Sequence, residues 1–170
     1  MSSISVKELS HPAGEVLKIA AGKTLDLKSQ GTTTLPTGSV LQVVTMSTTA
    51  SYIGTTVSFT NTNSTLAITP TSTSSKIVGL ITGFALKGNE NSYEIQLQIV
   101  KDGTALTPAS HFSIGVSGNT ELFLPLTLHF NDSPATTSEI TYTLQMRSTN
   151  ASTGHRWYRK QDVTLMEIQG

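Results

Sequence analysis

The chain has 170 residues, of which 36% are hydrophobic and only 13% charged, with 11 basic and 11 acidic residues and no cysteine. A zero net charge excludes nucleic acid as a main partner, since phosphate binding needs a basic excess, and the missing cysteine excludes disulfides and thiolate metal sites. In place of charge stand 21 serines and 28 threonines, suited to turns and to the wet faces of strands, so the composition reads as one folded all-β domain with a short appendage.

Residues 1–38 differ from the rest. They carry the short apolar patches Ile4-Ser5-Val6, Val16-Leu17-Lys18-Ile19 and Leu25-Asp26-Leu27, none long enough to bury a core of its own, and close on the turn-rich Gly31-Thr32-Thr33-Thr34-Leu35-Pro36-Thr37-Gly38. The expected structure is an extended N-terminal arm whose Ile4, Val6, Val16, Leu17, Ile19, Leu25 and Leu27 order only against other chains; a floppy terminus is the plain alternative.

From Ser39 the signal becomes a run of strands with period two. Ser39–Ser47, Tyr52–Thr60, Thr65–Thr69 and Lys76–Lys87 come first. Tyr93–Lys101 alternates cleanly, with Tyr93, Ile95, Leu97 and Ile99 on one face and Glu94, Gln96 and Gln98 on the other. Lys101-Asp102-Gly103-Thr104 is a two-residue hairpin signal, because Asp-Gly accepts the positive φ such a turn requires. Phe112–Val116 follows, then Glu121–Phe130 with Leu122, Leu124, Leu126, Leu128 and Phe130 inward, then Glu139–Arg147 and Asp162–Ile168. Eight or nine strands without a credible helix predict an antiparallel jelly-roll sandwich over residues 39–170.

Two strands break the alternation. Ile77–Leu86 is apolar on both faces, with glycines that allow close backbone approach, and Val163–Ile168 is apolar on both sides at its end. One face of an antiparallel sandwich strand normally meets water, so a two-sided strand needs a second cover: another copy of the chain, or a loop or the arm. The first reading makes Val78, Leu80, Phe84, Leu165, Met166 and Ile168 an interface between copies of the chain, which the resemblance given below implies to be a homotrimer.

Catalytic signals are poor. His11, His111, His129 and His155 lie far apart and at no metal-ligand spacing, and no Gly-x-Ser-x-Gly elbow or Gly-rich phosphate loop occurs. Asp102-Gly103 and Asn131-Asp132 lack the clustered oxygen donors of a calcium loop and read as turns. No enzyme activity, metal or cofactor is expected. One cluster stands apart, His155-Arg156-Trp157-Tyr158-Arg159-Lys160, read as a loop before the last strand and holding the only tryptophan. Either Arg156, Trp157, Tyr158 and Arg159 contact a partner, or Trp157 plugs the end of the sandwich and the basic residues are merely solvated.

Four stretches appear in one order along the chain: Gly22-Lys23-Thr24-Leu25-Asp26-Leu27; Leu35-Pro36-Thr37-Gly38-Ser39-Val40-Leu41-Gln42-Val43-Val44; Ile68-Thr69-Pro70-Thr71-Ser72-Thr73-Ser74-Ser75-Lys76-Ile77; and Val163-Thr164-Leu165-Met166-Glu167-Ile168. Together they resemble short virion surface proteins and tail-fibre tip domains of tailed phages of the cyanophage and marine-phage type. The resemblance implies a trimeric C1q- or TNF-like jelly roll mounted on a capsid or tail-fibre protein through residues 1–38. Unlike the long fibre members, this chain has no heptads, collagen-like triplets or β-spiral repeats for a shaft. That favours a head decoration or cement protein; the alternative is a receptor-binding fibre tip that touches a host surface glycan or protein. No signal-peptide pattern and no apolar run near the roughly 20 residues of a membrane span are found, so a virion protein made in the host bacterial cytoplasm, with no membrane partner, is expected.

Overall fold

The computed structural model describes residues 21–22, 35–88, 93–106, 112–116, 121–150 and 154–170. The chain divides into two compact units, Met1–Thr34 and Leu35–Gly170. In the first, the described residues are Ala21 and Gly22, which form a turn, so the anchoring residues proposed in the arm lie outside the described residues. The second unit begins at Leu35 rather than Ser39. Gly38 N donates to Gln169 O (2.8 Å) and Gln169 N to Ser39 O (2.8 Å), tying the Pro36–Ser39 turn to the end of the last strand.

This second unit is all-β. Its described strands are β1 (Val40–Thr48), β2 (Tyr52–Gly54), β3 (Thr60–Ile68), β4 (Lys76–Lys87), β5 (Tyr93–Lys101), β6 (Thr104–Ala105), β7 (Phe112–Val116), β8 (Leu122–Asp132), β9 (Ile140–Ser148) and β10 (His155–Ile168). Sheet A runs β1-β10-β4-β8, with β2 also on β10; sheet B runs β3-β9-β5-β6, with β7 also on β5, and every pairing is antiparallel. Apart from β1–β2 and β5–β6–β7, which stay within one sheet, successive strands cross between sheets in the two-Greek-key order of a jelly roll. Asp102 (φ 48) and Gly103 (φ 82) make the expected β5–β6 hairpin.

Two expected elements change. Tyr52–Thr60 is not one strand: it stops at Gly54, and β3 starts at Thr60. Between them Ser58 N donates to Thr56 Oγ1 (3.0 Å), a local bond that competes with the ladder where the chain leaves sheet A for sheet B. Residues 155–160 are not a loop. They form the first half of β10, pairing with β2 and β4, and then bulge: Arg159, Lys160 and Gln161 stand between the Tyr158↔Phe84 and Asp162↔Thr82 pairs, opposite Gly83 alone. Two extra residues preserve the inward parity of Trp157, Gln161, Val163 and Leu165. Arg159, at an inward position by count, escapes to solvent by adopting φ 62, left-handed backbone that costs a non-glycine residue about 1–2 kcal/mol.

The core lies between the sheets and joins Ile77, Ile81, Trp157, Val163 and Leu165 of sheet A to Ile95, Leu97, Ile140, Tyr142, Leu144 and Met146 of sheet B. The inner leucines of β8 pack against it as expected. Both glycines of β4 make room for rings: a Cβ at Gly79 would fall in the Phe130 ring and one at Gly83 in the Trp157 indole. Leu165 is fully buried in this core, so it cannot meet a second chain, and its place in the proposed trimer interface is withdrawn. The two-sided character of β10 belongs to Met166 and Ile168.

Trp157 is likewise fully buried and is not a partner contact. Its Nε1 donates to Ser64 Oγ (2.8 Å), Ser64 Oγ donates to Gln161 Oε1 (2.9 Å), and Gln161 Nε2 donates to Ala50 O (2.7 Å). The plug reading holds for the indole, and its polar edge is satisfied by a chain of bonds linking both sheets. At the far end of β10, buried Glu167 accepts from Ser75 Oγ (2.6 Å), Thr71 N (2.7 Å), Thr71 Oγ1 (2.8 Å) and Gln42 Nε2 (2.6 Å), fastening the β3–β4 crossing to sheet A.

Candidate interaction face

The two outer faces differ in chemistry. On sheet B the outward side chains form a hydrogen-bonded polar lattice. Gln145 Nε2 donates to Asn61 Oδ1 (2.8 Å), Gln98 Nε2 to Gln145 Oε1 (2.6 Å), Arg147 Nε to Gln96 Oε1 (2.8 Å) and Ser113 Oγ to Glu94 Oε2 (2.6 Å). Thr65 and Thr143 share a bond at 2.7 Å, and the Arg147 guanidinium lies 4.5 Å from the Phe59 ring centroid. Bonds to Ser113 and then Gln96 hold the exposed Glu94 carboxyl below its usual pKa. Such a face is already satisfied and suited to water.

Sheet A is organised in bands across β1 or β2, β10, β4 and β8. At one end the register aligns Val40 with Ile168 and Lys76, then Val43 with Met166, Val78 and Asn131, then Thr45 with Thr164, Leu80 and His129. This aliphatic band contains Val40 and Val43 at 50% and 52% exposure. A polar band follows, Ser47, Asp162, Thr82 and Thr127, in which Ser47 Oγ donates to Asp162 Oδ1 (2.6 Å) and Lys160 Nζ pairs with Asp162 Oδ2 (3.2 Å). Those bonds, Ser47 first, hold the exposed Asp162 carboxyl below its usual pKa.

The third band is aromatic and basic: Tyr158, Phe84 and Pro125, then Ile53, Arg156, Leu86 and Phe123. Phe84 and Phe123 ring centroids lie 6.5 and 6.1 Å from Tyr158, and the Arg159 guanidinium sits 5.4 Å from the centroids of both Phe84 and Tyr158. Ile53 and Phe123 are 61% and 46% exposed. Among the described residues, no three of His, Cys, Asp and Glu converge to hold a metal ion.

Of the residues singled out from sequence, Val78, Leu80, Met166 and Ile168 therefore gather in the aliphatic band, while Phe84 stands apart from them in the aromatic one. Arg156, Tyr158 and Arg159 share that aromatic band, on the outer face of a strand. Val40, Val43, Ile53, Pro125 and Phe123 were missed. Phe123 and Pro125 were legible, since both are apolar on the outward parity of a strand whose inward residues were already assigned.

No family model and no curated protein matches the chain. Among solved structures, the infectious bursal disease virus VP2 subviral particle is similar over 87% of this chain, at 13% identity and a TM-score of 0.50. The likeness is one of fold. The T13 IBDV viral particle (12% identity, TM-score 0.43) and the Gx strain of infectious bursal disease virus (14%, 0.39) match over the same 87% share. This chain spans well under half the length of each of these chains: 37%, 40% and 38% respectively.

Proposed function

We propose that this protein is a non-enzymatic structural component of a virus particle that self-associates as a homotrimer through the aliphatic band of sheet A. The observation that carries the assembly reading is the contrast between the outer faces: one is a closed polar lattice, the other leaves Val40, Val43, Val78, Leu80, Met166 and Ile168 partly in water. Covering the exposed half of Val40 and of Val43 stabilises the complex by about 1 kcal/mol apiece, and covering the smaller exposed parts of the other four adds less each. The fold shared with the VP2 subviral particle supports the virion reading. The ordered resemblance of the four sequence stretches to tailed-phage proteins supports a head decoration mounted by residues 1–38, with the fibre tip as the second reading, favoured by the aromatic band.

Light scattering on the full chain at micromolar concentration is expected to give three times the 18.1 kDa chain mass. Val78→Glu and Met166→Glu, which set unpaired carboxylates in a dry contact, are expected to give folded monomers. A wild-type monomer would overturn the trimer. Copy number on purified particles separates the mounts: hundreds of copies fit a head decoration, a few dozen or fewer a tail tip.

A further inference from the structure

We propose that the middle of sheet A's outer face, next to the aromatic band, is a binding site for a carboxylate-bearing sugar. The site goes beyond the assembly reading and lies outside the aliphatic band, so the two stand separately. A depression of about 320 Å³ opens here, at the small end of ligand-sized pockets, bounded by Phe84 and Pro125 with Thr82, Thr127, Lys160 and Asp162 around them. Its lining suits a pyranose: an apolar C–H face can lie on the Phe84 and Pro125 rings, while the hydroxyl edge meets two threonine hydroxyls and an ionised carboxylate that Ser47 and Lys160 hold in place.

The charges lining the depression, Lys160 and Asp162, pair with each other, and it is the positive charge next to it, at the Phe84 ring that bounds it, that points to an acidic sugar. Arg156 and Arg159 are exposed, and the ion pairs described in the chain, Lys101–Asp132 and Lys160–Asp162, involve neither. The guanidinium of Arg159 is set over two rings, with no hydrogen bond to its planar donors among the described residues, and such a fork receives a carboxylate in bidentate fashion. The bulge that puts it there forces a non-glycine residue into left-handed backbone, a distortion of the kind that accumulates at binding sites. An acidic peptide would call for a groove or an open strand edge; this dish lies across paired strands β10, β4 and β8.

Calorimetric titration of the full chain with trigalacturonate, maltotriose and triglutamate tests the site. Trigalacturonate alone is expected to bind, and Arg159→Gly, which suits the backbone at φ 62, is expected to weaken it at least tenfold while the protein stays folded. Thr82→Tyr, which fills the depression, is expected to abolish binding, and Val78→Glu to leave it unchanged. Equal binding of maltotriose removes the carboxylate requirement, and equal binding of triglutamate removes the sugar; either overturns the proposal, as does no binding by trigalacturonate or an unaffected Arg159→Gly. Light scattering on the same samples reports the trimer independently, so a failure of one reading is not mistaken for a failure of the other.

Discussion

Replacing Trp157 with alanine is expected to lower the unfolding free energy by about 3–5 kcal/mol, the range for truncating a fully buried large aromatic. The indole fills the space above Gly83 and its Nε1 feeds the Ser64–Gln161–Ala50 chain of bonds, so the variant opens a cavity and strips Ser64 of a donor. Gly83→Val attacks the same contact from the opposite side by driving a side chain into the ring, and is expected to destabilise by a comparable amount. Phe123→Ala, on the outer face a few residues away in space, should stay within about 0.5 kcal/mol of wild type unless the face is covered. Urea titrations at one fixed protein concentration check all three. A Trp157→Ala protein as stable as wild type would show that the sandwich closes without its plug.

The second large effect concerns Glu167. Burial alone would raise its pKa, but bonds from Ser75, Gln42 and Thr71 outweigh that cost and hold the carboxyl below the usual glutamate range. A carboxylate held low in the folded chain adds stability that is fully present above its unfolded pKa and disappears as pH falls through the folded one. Glu167→Gln is accordingly expected to cost about 2 kcal/mol at pH 7, the scale of hydrogen bonds to a charged acceptor. The gap between variant and wild type should narrow as the pH is taken below about 4.5, because protonation turns the native side chain into the glutamine's near equivalent. Paired denaturant titrations at pH 7 and pH 3.5 measure it; a gap that widens in acid reverses the sign and removes the carboxylate from the account.

Both residues show where the sequence was readable. Strands β4, β5 and β7 carry their limits in the pattern, because alternation and turn residues agree there, and the jelly roll followed from strand number and spacing. The pattern could not show that β10 begins at His155. Arg159 and Lys160 place two charges in the strand, and only a bulge with left-handed backbone lets a strand keep them. Leu165 and Glu167 illustrate a second blind spot. In Val163–Ile168 both parities are apolar or mixed, and assigning the inward one needs the neighbours: Glu167 is buried because Ser75, Thr71 and Gln42 converge on it from residues about 90 and 125 positions away in sequence. The interaction face was half visible for the same reason. Val78 and Leu80 betray themselves on a strand with two apolar faces, while Val43 and Ile53 join the surface only through pairing with β10.

Strand β10 sits in the middle of sheet A, flanked by β1 and β2 on one side and by β4 on the other, yet its residues, His155–Ile168, follow every other described strand in chain order and so leave the ribosome after them. Until they emerge, β1, β2 and β4 have no common neighbour, while β3, β5 and β9 can already pair as sheet B. The face that bears the aliphatic and aromatic bands therefore comes into being in a single late step that zips β1 to a strand more than 100 residues downstream. A chain made only as far as β9 has no assembled interaction surface to offer, and copies can recognise one another only once β10 has emerged.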